Sequence, residues 1–136
     1  MIVLSNSIAQ TLAPGQSLTF DTIILHTGCG ECHRPNSGLV NLRAQNGIYE
    51  VNFGANIGAE SAAGEAQLNI MLDGSPLGET PMISTNTVAG DLNRVSSTTA
   101  VRTCCCGGAD AITIANTGTT TITVGANPCL YVKRVA

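Results

Sequence analysis

The sequence has no tryptophan, and only two tyrosines and two phenylalanines among 136 residues. Flat aromatic platforms on which sugar rings stack are therefore scarce, which argues against a carbohydrate-binding module. Charge is sparse as well. Charged residues make up 11% of the chain, less than half the ~25% of an average globular domain. The six basic residues are scattered along a chain of net charge −3, so they cannot build the phosphate-tracking stripe that nucleic-acid binding needs. No apolar run approaches the ~18–20 residues that span a bilayer as a helix, so no membrane partner is expected. Residues 1–15 lack a basic n-region and carry too short an apolar stretch for a secretory signal. Export by the general secretory route is not expected.

Long amphipathic helices are missing too. Turn residues such as Pro14-Gly15, Asn46-Gly47, Asp73-Gly74 and Gly107-Gly108 interrupt every candidate run. What remains is a series of short apolar runs between turns, the pattern of an all-β chain. The clearest is Ile48 to Ile57, where Tyr49, Val51, Phe53, Ala55 and Ile57 share one face and Glu50, Asn52 and Asn56 the other. Leu68, Ile70 and Leu72 repeat the alternation and run into Asp73-Gly74, the strongest short hairpin signal. Leu18 and Phe20, then Ile23 and Leu25, predict an early strand with a shift of face. Ile112/Ile114, Ile122/Val124 and Leu130/Val132 predict three more strands, and the Ser/Thr-rich stretch from Val95 to Cys105 another with a polar outer face. Eight to ten strands in a single domain over residues 1–136, with no linker or repeat, predict an all-β, two-sheet antiparallel jelly roll. An immunoglobulin sandwich would need a Cys…Trp…Cys core, which is missing.

Several of these segments, in this order, resemble the complement/tumour-necrosis-factor-like trimeric jelly rolls. The residues that carry the likeness are Leu18 to Ile24, Asn46-Gly47-Ile48-Tyr49-Glu50-Val51-Asn52-Phe53, Leu68 to Gly74, Ala89 to Leu92, and the closing strand Cys129 to Val135. Bacterial members of this group cap the collagen-like filaments of the spore exosporium, and similar domains serve as head-decoration or fibre proteins of tailed phages. The resemblance implies a homotrimer. Here no Gly-x-y stretch precedes the domain, which favours a free-standing trimer docked on a capsid or other surface lattice. A trimer of this kind buries one sheet face at a three-fold axis. In the final strand Leu130 and Val132 alternate with Tyr131, Lys133 and Val135, so both faces carry apolar residues. Such a strand is central either in the sandwich or in an oligomer. The oligomeric reading makes Leu130, Tyr131, Val132, Lys133 and Tyr49 the candidate trimer-interface residues.

The cysteines are the one set of residues that could carry chemistry. Cys29-Gly-Glu-Cys32-His33 brings soft ligands within reach of one metal ion, and Cys104 and Cys106 on one strand face could complete a tetrahedral zinc or iron site. The same residues fit a small-loop disulfide, crosslinks between subunits, or free thiols. Haem attachment matches the C-x-x-C-H pattern but lacks an exported precursor and a second axial ligand. Cys129 reads as a small core residue. No cofactor is expected beyond that structural metal. The two histidines share one loop region, Glu60 and Glu65 flank a Gly/Ala-rich loop, and no nucleophile elbow or phosphate loop is present. The sequence therefore predicts a non-enzymatic structural protein: a trimeric decoration or fibre protein on a phage capsid surface, which stabilises the shell or meets host glycans. A spore-surface subunit with the same fold, its layer crosslinked through cysteines, is one alternative, and a carbohydrate-binding module, despite the scarcity of aromatic platforms, is the other.

Overall fold

A computed structural model describes residues 1–61, 64–103 and 110–136. The described residues form thirteen strands and no helix. In chain order they are β1 (Ile2–Ser5), β2 (Gln10–Leu12), β3 (Thr22–His26), β4 (Glu31–His33), β5 (Val40–Leu42), β6 (Ile48–Ala59) and β7 (Gly64–Leu72). The remainder are β8 (Ser75–Pro76), β9 (Met82–Asn86), β10 (Asn93–Arg102), β11 (Asp110–Asn116), β12 (Ile122–Val124) and β13 (Cys129–Arg134). All pairs are antiparallel and fall into two sheets, as a jelly roll requires.

The front sheet is built around β6. One edge of β6 pairs with β10 from Ile48 to Ile57. Its other edge pairs first with β13 and then, end to end, with β12. β13 continues to β1 and β3, and β12 to β2. The back sheet runs β4-β5-β11-β7, with β8 and β9 sharing the far edge of β7.

The period-two reading of β6 holds. Tyr49, Val51, Phe53, Ala55 and Ile57 all point between the sheets and are buried. They meet Leu68 and Ile70 of β7, Ile112 and Ile114 of β11, and Ile2, Leu4, Leu130 and Val132 of β1 and β13 in one core. Each large aliphatic removed from water contributes on the order of 1.5–3 kcal/mol. The Asp73-Gly74 hairpin is also as expected. Both residues have positive φ, 50° and 82°, the geometry of a type I′ turn between β7 and β8.

The early strand differs from the expectation. Only Thr22–His26 forms a ladder, against β1, with a bulge where its register shifts between Val3 and Leu4. Leu18 and Phe20 are buried without joining a strand. Their amides reach across the sandwich instead, Leu18 N donating to Ile114 O at 2.7 Å and Phe20 N to Ser37 O at 3.0 Å.

Two positions make sharp tests of this packing. A Cβ added at Gly58 of β6 would stand 1.9 Å from the Asp91 carbonyl oxygen. Backbone cannot yield as a side chain does, so Gly58→Ala is expected to cost roughly 1–3 kcal/mol, read as a lower urea midpoint. An unchanged midpoint would show that the β9–β10 loop is free to retreat.

Asp21 ties the loop after β1 to β3. Its carboxylate accepts from Ser7 Oγ at 2.5 Å, Thr22 Oγ1 at 2.7 Å and Ser7 N at 3.0 Å. The Ser7 and Thr22 hydroxyls hold its pKa below the ordinary value of 3.8. A carboxyl lowered by folding stabilises the native state above its unfolded pKa and loses that contribution as pH falls through the folded value. Exchange of the Ser7 amide is therefore expected to accelerate in acid below the ordinary carboxylate range. Asp21→Asn should flatten that dependence.

Candidate functional site

The outer face of the front sheet is one of the two faces this sandwich leaves open, the back sheet's carrying Glu65, Gln67 and Ile83. Alternation along β13 sends Leu130 and Val132 inward and Cys129, Tyr131 and Lys133 outward. Registers across the sheet then assemble the outer face row by row. Leu25, Val3, Tyr131, Asn52 and Thr98 lie side by side in the central row. Lys133, Glu50 and Ala100 form the next row, and Cys129, Gly54 and Ser96 the one on the other side.

This placement corrects three of the five candidate interface residues. Leu130, Val132 and Tyr49 are each 0% exposed, so they hold the core together and offer no side chain to a partner subunit. β13 is central in the sandwich, flanked by β1 and β6, which accounts for its apolar inner face. The Tyr49 phenol ends at the sandwich rim, where it donates to Gly30 O at 2.7 Å and accepts from Ala44 N at 3.3 Å. Tyr131 and Lys133 do stand on the outer face, half-buried and exposed respectively.

The centre of this face is a shallow groove of about 320 Å³, lined by Asn52, Gly54, Arg94, Ser96, Thr98, Cys129 and Tyr131. Gly54 creates it. A Cβ there would lie 2.6 Å from the Arg94 guanidinium, so the missing side chain lets Arg94 lie across β6. Asn52 is fixed from both sides, accepting from Thr98 Oγ1 and donating to Glu50 Oε1 at 2.9 Å. Cys129, expected in the core, is instead half-buried on this outer face opposite Gly54. Of the outward residues in the β6, β10 and β13 ladders, three are basic, Arg94, Arg102 and Lys133, and one is acidic, Glu50. Lys133 and Glu50 oppose each other across strands, with Glu50 accepting from Asn52. Toward β1 and β3 the face turns apolar through Val3 and Leu25, the latter 42% exposed.

The cysteine loop sits at one end of the sandwich. Cys29 is exposed in the turn between β3 and β4, and Cys32 is half-buried in β4, while Glu31 and His33 on either side point inward. Cys29, Cys32 and Cys129 are free thiols. Both nearby histidines are committed to backbone. His26 Nε2 lies 2.9 Å from Glu31 O, and His33 places its two ring nitrogens 2.8 Å from Leu39 O and 3.2 Å from Phe20 O. Glu31 Oε2 pairs with the Met1 ammonium at 2.9 Å, and Oε1 has no hydrogen-bond partner. Among the described residues no three His, Cys, Asp or Glu side chains converge as a metal site would need. Cys104 and Cys106, the proposed second half of a zinc or iron site, lie outside the described residues.

No protein-family model matches the chain, and no curated protein matches its sequence. Solved structures do match its fold. Murine APRIL superposes with a TM-score of 0.62 at 13% identity, covering 97% of this chain and 96% of that one. PRD1 vertex protein P5 superposes with a TM-score of 0.51 at 12% identity, covering 99% of this chain and 97% of that one. The fold is thus the tumour-necrosis-factor-like jelly roll that the strand motifs suggested.

Proposed function

We propose that the protein is a non-enzymatic structural protein that assembles as a homotrimer through the outer face of its front sheet and decorates the surface of a phage capsid. The observation that carries this reading is the composition of that face. It sets Leu25, Val3 and Tyr131 side by side in one row across three strands, on a chain that is only 11% charged. An apolar strip with a polar rim is what an association surface looks like. The polar residues beside the strip, Lys133, Glu50, Asn52 and Thr98, supply orientation more than affinity. Likeness in fold to a vertex protein supports a place on a lattice. There a trimer gains by repetition, since three identical docking patches multiply weak contacts.

Co-sedimentation tests the lattice step. The purified protein should pellet with capsids of the phage whose genome encodes it, and should raise their resistance to heat or chelator. Capsids that neither bind nor gain resistance would refute decoration. The exposed Cys29 thiol supports a second reading, a spore-surface layer crosslinked between subunits. In that case non-reducing gels of assembled material would show oligomers that collapse with dithiothreitol and are absent from Cys29→Ser.

A further inference from the structure

Among the described residues the long edge of the front sheet, β10, carries no strand partner beyond β6. All ten residues of β10 pair with β6 without a break, from Asn93↔Ile57 to Arg102↔Ile48. Among the described residues β10 forms a ladder with no other strand, and no backbone bond between described residues outside the ladders reaches its second edge. The described neighbours that bond to it do so through side chains, Thr99 Oγ1 donating to Glu79 and Asn93 Nδ2 to Ser84.

Sheet edges in folded proteins are usually blunted by proline, lysine, a bulge or short length. The β3 edge carries such a bulge. β10 has no proline, lysine or bulge and is ten residues long; between Arg94 and Arg102 its sequence NRVSSTTAVR is uncharged and rich in residues that favour strands. Its inward-pointing Val95, Ser97 and Thr99 are only half-buried, so an added strand would complete their burial.

The occupant is indicated by charge. Arg94 and Arg102, eight residues apart on the outward face, are the only charges on the strand. Neither has an ion pair among the described residues. A second copy is a poor fit. Antiparallel pairing that keeps both sandwiches on one side has two nine-residue registers, centred on Ser97 or Thr98. Each sets Arg94 directly or diagonally across from the other copy's Arg102, and like charges so placed repel. We propose that the open edge of β10 takes an extended segment of a different protein, with carboxylates about eight residues apart flanking small and β-branched residues. Main-chain hydrogen bonds supply the affinity and the two arginines set the register. Arg94, which lies back over Gly54 and has no ion pair among the described residues, swings out to meet its carboxylate. This goes beyond trimer formation and does not depend on it.

The test uses a labelled eleven-residue peptide with glutamate at positions 2 and 10 and alternating Val, Thr and Ser between them. Its binding to the full chain is followed by anisotropy. The same peptide with lysine at both positions should bind roughly tenfold more weakly, and the R94E/R102E chain should reverse that preference. Alternate N-methylation, which removes edge-facing donors, should abolish binding. Amide-exchange protection should appear along β10. Binding that survives N-methylation on both registers, no binding at all, or a preference that ignores the double reversal would each overturn the proposal.

Discussion

Replacing Tyr131 by aspartate is expected to give a folded monomer. The phenol sits at the middle of the Leu25–Val3–Tyr131–Asn52–Thr98 row, half-buried already in the isolated chain and bordering the Gly54 groove. Central aromatic anchors of this kind each contribute on the order of 2 kcal/mol or more to an interface. A carboxylate at the same place adds the cost of desolvating an unpaired charge three times over in a trimer. Association should weaken by well over roughly a hundredfold, enough to dissociate the assembly at micromolar concentration. The side chain points away from the core, so the monomer should keep its far-ultraviolet spectrum and its cooperative unfolding. A variant that stays trimeric would remove the outer face from the interface.

Leu130→Ala, one residue earlier, should behave in the opposite way. Leu130 faces Phe53 in register, is 0% exposed, and belongs to the single core cluster joining both sheets. Deleting its isobutyl group leaves a cavity and should cost about 2–5 kcal/mol. Against a total stability of only ~5–15 kcal/mol for a domain of this kind, that is a large fraction. The loss should be of similar size for the Tyr131→Asp monomer, because the contact lies within one chain. The pair forms a direct contrast: adjacent residues, one controlling assembly and the other folding. If Leu130→Ala changed the oligomeric state while leaving the unfolding midpoint intact, the assignment of faces along β13 would be wrong.

That contrast also shows where sequence reading reaches its limit. Alternation over twelve residues is enough to orient β6, because one face is uniformly apolar and the other carries Glu50, Asn52 and Asn56. The I′ hairpin was legible from Asp73-Gly74 because only residues tolerant of positive φ serve there. β13 is shorter and has apolar residues on both faces, so its own pattern cannot say which face meets the core. Pairing with β6 on one side and β1 on the other decides it. The groove was further from reach. Asn52 could be assigned to an outer face, but Arg94 and Cys129 come together over Gly54 only through registers that link distant strands, β10 and β13, to β6. Leu18 and Phe20 read as strand residues because burial and alternation look the same in an extended segment that bridges two sheets. Their hydrogen-bond partners, Ile114 and Ser37, are set by tertiary structure.

The central claim is that this jelly roll works as a trimer built on the outer face of its front sheet. Sedimentation equilibrium of the purified chain from about 1 to 100 μM, a range over which specific oligomers stay assembled, tests it most directly. The expected result is a single species at three times the chain mass of 13.9 kDa, reduced to one chain mass by Tyr131→Asp. A species of one chain mass across the whole range for the unmodified protein would contradict it.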